Sequence, residues 1–367
     1  MNSNNRRLII DALAYESGKA FGFQEFMFNL LEFFYQNRRS LNFEEVIIVC
    51  IDKQKKDFDK FNDKFQLVGF RIPNLFVRLL YQQVVPLILK VSQSDVILNL
   101  YNYSAYFSFS KNVLVVHDLL YLRKKLLPVW YIRLHRKLFI TRSITNADHI
   151  IAISEFTKRD ITNNTKVSQS KPISVVYNYF NFIKYDYSDN LDIKNLKKNY
   201  FLCVSSSAFH KNIVTVLMAF EKFCNSNDEM NLYLVGKISD NVALNYYNQL
   251  QIKVKNRIKV FADITNQSMG ILYANCHTYI SASLFEGLGM PVVEAMYFKA
   301  RLLLSDIEVF REITKNKASF FDPNSVDQLC LRMIQSSESN YEKTSFDLLD
   351  FSAINTSEKY IKILNSL

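Results

Sequence analysis

The chain has 367 residues, enough for two or three domains, and its 49% hydrophobic and 22% charged residues are ordinary for a globular protein. This composition excludes a disordered tail, a collagen-like chain and a disulfide-stapled miniprotein, and the five scattered cysteines form no CxxC pair that would predict a zinc site. The net charge is +10, and the whole excess lies in residues 1–179, which hold 25 Lys/Arg against 15 Asp/Glu.

The sequence contains no run of 18 apolar residues, so it predicts no membrane span. The polar residues 1–5 lead directly into an apolar, strand-like segment at 8–10. A secretory signal would need an apolar segment followed by a small-residue cleavage site. The expected location is therefore the cytoplasm.

Short apolar runs alternate with longer amphipathic stretches from end to end. Runs of this length that are rich in Val and Ile are typical of strands buried on both faces. They predict twelve strands, at 8–13, 46–51, 96–100, 113–116, 150–153, 173–176, 201–204, 232–235, 258–261, 278–281, 302–304 and 319–321. The stretches between most of them, such as 26–34 and 214–223, are long enough for crossover helices. The fold class is therefore α/β, with two tandem Rossmann-like domains, each built on a parallel sheet.

The predicted domain limits follow the same pattern. An N-terminal domain covers 1–180, a polar linker covers 181–199, and a C-terminal domain covers 200–351. The last segment, 352–367, has a helical apolar period and is expected to join the first domain.

A basic segment stands out in the first domain. Residues 119–147 contain no acid and seven Lys/Arg, and within them Arg133, Arg136 and Lys137 are interleaved with aromatic residues. Such a surface attracts phosphates of nucleic acid, lipid headgroups or a diphosphate substrate. If helical, it could lie on an anionic membrane or face the acceptor. The alternative is an ordinary packed helix with a solvated basic side.

The stretch 281–296 carries the most chemical information. It follows a predicted strand and contains two of the seven glycines, Gly287 and Gly289, within three residues. Pro291 suits the first position of a helix, whereas Met290 before it has no side-chain acceptor for the first amides. Unsatisfied amides at a helix N-terminus form an anion site that a diphosphate would fill.

Glu286 and Glu294 lie before this turn and about one turn into the helix, so their carboxylates can flank one ligand. The segment 285–295, FEGLGMPVVEA, resembles the signature of the retaining glycosyltransferases of family 4, which have the GT-B fold with a cleft between two domains. Four other segments resemble the same family: LIIDA at 8–12 followed by Gly22, VHDL at 116–119, ADHIIAISEFT at 147–157 and HKN at 210–212.

The resemblance implies a role for each matched residue. Glu286 and His117 would act at the transferred sugar, and Lys211 would neutralise the departing diphosphate. The implied donor-binding set is Gly22, His210, Lys211, Gly287, Leu288, Gly289 and Glu294. Because a lysine and helix amides at the leaving group lower the barrier to glycosyl transfer, neither a metal nor another cofactor is expected.

The expected partners are a GDP- or UDP-linked sugar donor and a glycan or lipid-diphosphate-linked acceptor, in bacterial surface-polysaccharide synthesis. A peripheral location on the inner face of the cytoplasmic membrane is an extension of the same interpretation. Nucleic acid is not an expected partner, because the aromatic residues form no RNP-like motif and the charge is confined to one domain.

The chain departs from the family at three places. Ser205 stands where glycine is usual, His210 where arginine is usual, and 298–301 differs from the family's Cys-Gly-Thr-Pro run. The departures at Ser205 and His210 motivate an alternative, a non-catalytic glycosyltransferase-like subunit that binds a sugar nucleotide or a partner enzyme. The presence of Glu286, Glu294 and Lys211 argues against it.

Overall fold

The computed structural model describes residues 6–16, 22–72, 75–105, 108–179, 199–205, 208–227, 229–262, 264–339 and 344–367. The chain forms two compact units, one of Met1–Phe180 with Leu349–Leu367 and one of Asn181–Leu348. The predicted linker at 181–199 lies outside the described residues, except for Asn199.

The first unit is built on a parallel sheet of seven strands in the order β3-β2-β1-β4-β5-β6-β7. The strands are β1 Arg7–Asp11, β2 Glu45–Ile51, β3 Gln66–Phe70, β4 Val96–Asn99, β5 Lys111–Val116, β6 His149–Ala152 and β7 Ile173–Val175. The helices between them are α1 Gly22–Gln36, α2 Leu75–Ile88, α3 Trp130–Asn146 and α4 Glu155–Asn164. The central strands are buried on both faces, as their uninterrupted apolar runs predict.

The second unit has a parallel sheet of six strands in the order β10-β9-β8-β11-β12-β13. The strands are β8 Tyr200–Val204, β9 Asn231–Val235, β10 Ile258–Phe261, β11 Thr278–Ser281, β12 Leu302–Ser305 and β13 Ser319–Phe321. The helices are α5 Ile213–Phe223, α6 Asn241–Gln249, α7 Ile252–Lys255, α8 Asn266–Asn275, α9 Met290–Tyr297, α10 Glu308–Thr314 and α11 Val326–Glu338. The predicted class, two tandem parallel-sheet Rossmann-like domains, is confirmed.

The prediction of six strands in the first domain was one too few. The missed strand, β3, lies at the edge of the sheet and pairs only with β2 among the strands described. Its sequence QLVGF is half-exposed, begins with glutamine and is interrupted by glycine, so it lacks the continuous apolar run of a strand buried on both faces.

The final helix, α12 Ala353–Asn365, belongs to the first unit. Ser352 caps it by accepting a hydrogen bond from the backbone N–H of Asn355. The Thr356 hydroxyl donates to the Tyr177 carbonyl at 2.9 Å, and the Tyr360 ring packs on Phe26 of α1 with centroids 6.0 Å apart. The helix therefore covers the apolar face of α1.

Each sheet has one switch point, where the strand order reverses. In the first unit it lies between β1 and β4, and in the second between β8 and β11. The loops leaving two such neighbouring strands turn to opposite faces of the sheet, which leaves a crevice beyond their carboxyl ends. The β8–β11 crevice is where the sequence motifs of the second unit converge.

Candidate active site

A short 3₁₀ turn after β8, Phe209–Lys211, forms one wall of this crevice. Asn212 follows in the left-handed conformation at φ 56°, which asparagine tolerates better than most residues. Its side-chain amide donates to the carbonyls of Ala282 at 3.1 Å and Pro323 at 2.9 Å. Asn212 therefore ties the turn to the segments that follow β11 and β13, and so fixes the position of Lys211.

The loop after β11 forms the other wall. Its backbone meets the turn directly, because the Leu284 N–H donates to the His210 carbonyl at 2.7 Å. The Ser305 hydroxyl, fully buried at the end of β12, donates to the Ser283 carbonyl at 2.6 Å. These bonds hold the loop in the geometry that presents Glu286 to Lys211.

Lys211 and Glu286 form an ion pair, with Nζ 2.6 Å from Oε1 and side chains only 18% and 12% exposed. The Ser283 hydroxyl donates to the same oxygen at 2.7 Å. Burial alone would raise the pKa of Glu286. The charges of Lys211 and His210 and the two hydrogen bonds outweigh that effect, so its pKa lies below the ordinary value and the carboxylate is ionised at neutral pH.

The glycine-rich turn ends in helix α9, which begins at Met290, one residue before the predicted start at Pro291. Gly289 is the N-cap, at φ 92°, and no side chain caps the helix. A Cβ on Gly289 would lie 2.6 Å from Cε1 of Phe310, so only glycine fits both the backbone conformation and the space. No side chain therefore occupies the start of α9. Pro291 has no N–H, and the N–H groups of Val292 and Val293 donate to the Gly289 carbonyl, so Met290 supplies the N–H of the first turn that faces an anion.

Glu294 has a buried partner that the sequence did not suggest. The hydroxyl of Tyr273, which is fully buried in α8, donates to Oε2 of Glu294 at 2.7 Å. The Tyr273 ring stacks in parallel on Phe298, with centroids 5.8 Å apart. Phe298 is one of the residues that depart from the family pattern, so this departure contributes to the positioning of Glu294.

Ser205, another departure, lies at the end of β8. Its N–H donates to the Val235 carbonyl at 2.9 Å. Gly236, at φ 113°, follows Val235, and a Cβ there would lie 1.8 Å from the Ser205 carbonyl oxygen. Gly236, which follows β9, thus allows the two backbone segments to approach each other closely at Ser205. Residues 206–207 of the same loop lie outside the described residues.

The remaining predicted site residues lie in the first unit. Gly22 is the first residue of α1, and His117 follows β5. His117 is 7% exposed, and its Nε2 donates to the Leu100 carbonyl at 2.9 Å. Burial lowers its pKa, so the ring is neutral with the proton on Nε2. Its edge-to-face contact with Phe23, at 5.1 Å, packs it in an aromatic cluster.

The structure thus brings Lys211, His210, Glu286 and the Gly289 cap together in one crevice of the second unit. Arg133, Arg136 and Lys137 lie on α3 of the first unit. Within the described part of the chain, no three His, Cys, Asp or Glu side chains are grouped as metal ligands. Among the described helices, none is both long and apolar enough to cross a membrane.

Solved structures with the same fold span the whole chain. A glycosyltransferase from Rickettsia africae matches 99% of both chains with a TM-score of 0.66 and 16% identity. Anabaena HepE, solved in complex with UDP and glucose, matches 99% of this chain and 100% of its own with a TM-score of 0.70 and 16% identity. Two Rossmann-like parallel sheets with these neighbours define the GT-B fold.

Sequence comparison adds a similarity to one family over the second unit. Residues 189–346 match the model of the glycosyl transferases group 1. The O-antigen chain mannosyltransferase RfbU of Salmonella typhimurium is 28% identical over 192 residues, 52% of each chain. The serotype-specific mannosyltransferase WbdA of Escherichia coli is 28% identical over 231 residues, 56% of this chain and 27% of WbdA.

The matched region thus spans about half the length of RfbU and about a quarter of WbdA. Residues 189–346 are thus similar to the glycosyl transferases of group 1, and the solved structures show that the whole chain has the GT-B fold. The narrower assignment to family 4 rests on the motif resemblance alone.

Proposed function

We propose that the protein is a retaining, metal-independent glycosyltransferase that moves mannose from a nucleotide sugar to a glycan or lipid-diphosphate-linked glycan in O-antigen synthesis. The observation that carries this proposal is the Lys211–Glu286 pair beside the Gly289-capped helix at the β8–β11 switch point. Mannose and the O-antigen come from the names of the relatives RfbU and WbdA.

The leaving group is the nucleoside diphosphate. When the bond between C1 of the sugar and the phosphate oxygen breaks, the electron pair stays on that oxygen and negative charge grows there. The Lys211 ammonium and the backbone N–H of Met290, the first residue of α9, are donors fixed in advance for this charge. Such preorganised donors contribute about 10²–10³-fold each to the rate of a charge-developing step.

Glu286 stabilises the positive charge that develops on the sugar. As the C1–O bond lengthens, positive charge develops at C1 and the ring oxygen, and a carboxylate that stays ionised beside the sugar stabilises it. Lys211, His210 and Ser283 keep Glu286 ionised despite its burial. The same carboxylate accepts hydrogen bonds from sugar hydroxyls and so orients the reacting carbon.

The acceptor hydroxyl attacks C1 from the face that the diphosphate leaves. A bond forms between the acceptor oxygen and C1, and the hydroxyl proton passes to the departing phosphate oxygen. The anomeric configuration is therefore retained, and no side chain needs to act as base. Glu294, held through one oxygen by Tyr273, accepts from the ribose hydroxyls of the donor.

The first test is donor binding. A ligand that binds only the native state raises its stability by about 2.7 kcal/mol at one hundred times its Kd. We expect GDP-mannose to raise the melting temperature more than UDP-glucose, with GDP and UDP as nucleotide controls. A UDP-sugar that stabilises more than GDP-mannose would replace the proposed donor, and no stabilisation by any of the four would contradict donor binding in this crevice.

A turnover assay distinguishes a catalytic glycosyltransferase from a subunit that only binds the donor. We expect slow release of GDP from GDP-mannose and faster release with a mannose-containing lipid-linked acceptor. The rate should survive EDTA, because Lys211 and the Met290 N–H receive the leaving group. Loss with EDTA and recovery with magnesium or manganese would contradict the metal-independent mechanism. Stabilisation by the donor without release of GDP would favour the non-catalytic subunit.

A further inference from the structure

Helix α3 of the first unit has an exposed apolar side. Its packed side contributes the buried residues Ile140, Ser143 and Ile144. The exposed large apolar side chains are Trp130 (67% exposed), Tyr131 (61%), Leu134 (48%) and Leu138 (60%), named here the α3 outer face. Successive residues of an α-helix are about 100° apart, so these four fall within an arc of about 100°. They form one continuous stripe and not scattered single exposures, which are common on any surface.

Exposed cations surround this stripe. Lys124 and Lys125 precede the helix, and Lys137 and Arg142 lie on either side of the stripe. No acidic residue occurs anywhere in 119–147. A concavity of about 490 Å³ beside the stripe is lined by Leu138, Lys137 and Arg142, among others. The face is therefore apolar in the middle and uniformly positive at its borders.

The exposed cations beside the α3 outer face differ from the three predicted from the sequence. Of the three residues predicted from the sequence, Lys137 is exposed, whereas Arg133 and Arg136 are half-buried. Arg136 lies about 200° around the helix from Leu134, on the packed side. The exposed cations Lys124, Lys125, Lys137 and Arg142 replace that set.

We propose that the α3 outer face docks the protein onto a bilayer rich in anionic lipid. The helix, about 26 Å long, lies parallel to the membrane surface. Trp130 and Tyr131 insert at the headgroup level, where amphipathic aromatic rings are favoured, and Leu134 and Leu138 enter the boundary of the acyl chains. The surrounding cations pair with lipid phosphates. A lipid surface suits this pattern because it offers apolar and anionic contacts together along the whole helix.

This inference goes beyond the proposed transfer reaction and is tested without it. Trp130 is the only tryptophan in the chain, so tryptophan fluorescence, excited at wavelengths that tyrosine does not absorb, reports on this surface alone. With vesicles of phosphatidylcholine and phosphatidylglycerol, we expect a blue shift of the emission and quenching by brominated acyl chains, both reversed by salt. With phosphatidylcholine alone we expect neither. Equal responses to both vesicles, or sedimentation with vesicles without a spectral change, would overturn the proposal.

A charge variant tests the cations. Lys124→Gln, Lys125→Gln and Lys137→Gln combined should weaken binding to anionic vesicles by about 100-fold, since each cation near such a surface contributes about 1 kcal/mol, or about 5-fold. The matched control removes three exposed lysines of the same unit that lie among acidic residues, Lys53→Gln, Lys55→Gln and Lys56→Gln. We expect a much smaller effect from the control. Equal weakening by the two triple variants would mean that only net charge matters, and would overturn the assignment to α3.

An apolar variant tests insertion. Leu134→Ser with Leu138→Ser should weaken vesicle binding at least 10-fold, whereas Leu87→Ser with Ile88→Ser, two exposed apolar residues of α2, should not. GDP release from soluble donor should be unchanged in all these variants. Donor turnover without vesicle binding would overturn this inference alone, and vesicle binding without turnover would overturn the proposed function alone. A blue shift that grows with protein concentration in the absence of lipid would identify a second copy of the chain, not a bilayer, as the occupant.

Discussion

The two units share one strand order around their switch points but carry different chemistry there. In the second unit, the crevice beyond β8 and β11 contains the Lys211–Glu286 ion pair and a helix start capped by glycine. In the first unit, the residues beyond β1, β4 and β5 include Phe23, Tyr101 and a neutral His117. The Phe23 and Tyr101 rings lie 4.6 Å apart. The same scaffold therefore presents an ion pair in one unit and an aromatic cluster around a buried histidine in the other.

This difference shows that the fold supplies the crevice, and the loops decide which ligand it accepts. A charged crevice suits a ligand whose charge changes during reaction, because buried charges interact strongly. Aromatic rings and a neutral imidazole suit an uncharged ring with apolar faces. If this contrast holds, substitutions in the charged crevice of the second unit should have the largest effects and a substitution of His117 in the first unit the smallest.

The largest expected effect is that of Glu286→Gln. The amide keeps the size of the side chain and one acceptor oxygen for Lys211 and Ser283 but cannot offset positive charge at the sugar, so we expect GDP release to fall by about 10³-fold. The matched control is Glu308→Gln, an exposed glutamate of the same unit. Melting temperatures should show that both variants are folded. Activity near that of the unmodified protein in Glu286→Gln would disprove the role of this crevice in catalysis.

Lys211→Gln should lower kcat/KM by about 10²-fold, because the leaving diphosphate loses its cation. It should also move the acidic limb of the pH–rate profile. Without Lys211, burial raises the pKa of Glu286, so the carboxylate becomes protonated at a higher pH than in the native enzyme. Lys211→Arg keeps the charge and should leave the limb nearly in place. An unshifted limb in Lys211→Gln would mean that Glu286 does not set it.

Tyr273→Phe tests whether Glu294 acts on the nucleotide and not on the reacting sugar. The variant removes one hydrogen bond to the Glu294 carboxylate and keeps the stacking on Phe298. A hydrogen bond to a charged group contributes about 1.5–3 kcal/mol, so we expect GDP to bind about 10-fold more weakly by calorimetry, with kcat little changed. A loss confined to kcat would show that Tyr273 acts on the reacting sugar and not on the nucleotide.

The smallest expected effect concerns His117, the neutral histidine of the first unit. The pKa of His117 is lowered in the folded state, so on acidification the unfolded chain takes up a proton that the native ring does not. His117 therefore reduces stability as the pH falls below about 6.5, its ordinary pKa. His117→Gln should make the melting temperature fall less between pH 7.5 and pH 5.5, since glutamine can still donate to the Leu100 carbonyl. An equally steep fall in the variant would mean that other groups cause the acid sensitivity.

The sequence predicted the central strands because they are buried on both faces and read as apolar runs, and it missed β3 because an edge strand needs no such run. It predicted the 285–295 turn because glycine is scarce in the chain. The Tyr273–Glu294 bond could not be predicted, since α8 and α9 are separated by a strand and meet only after the sheet has formed. The outward side of α3 was equally hidden, because this helix has apolar residues on both sides and its period does not say which side is packed.

The location of α12 in the first unit has a consequence for biosynthesis. The first unit is discontinuous in sequence, because 168 residues of the second unit, Asn181–Leu348, lie between its two segments. At about 5–20 residues per second, a ribosome needs roughly 10–30 s to translate that interval. During this time the α1 surface around Phe26, which α12 covers in the finished protein, has no final partner. The N-terminal portion therefore exposes this apolar surface until α12 has been translated and has left the ribosome.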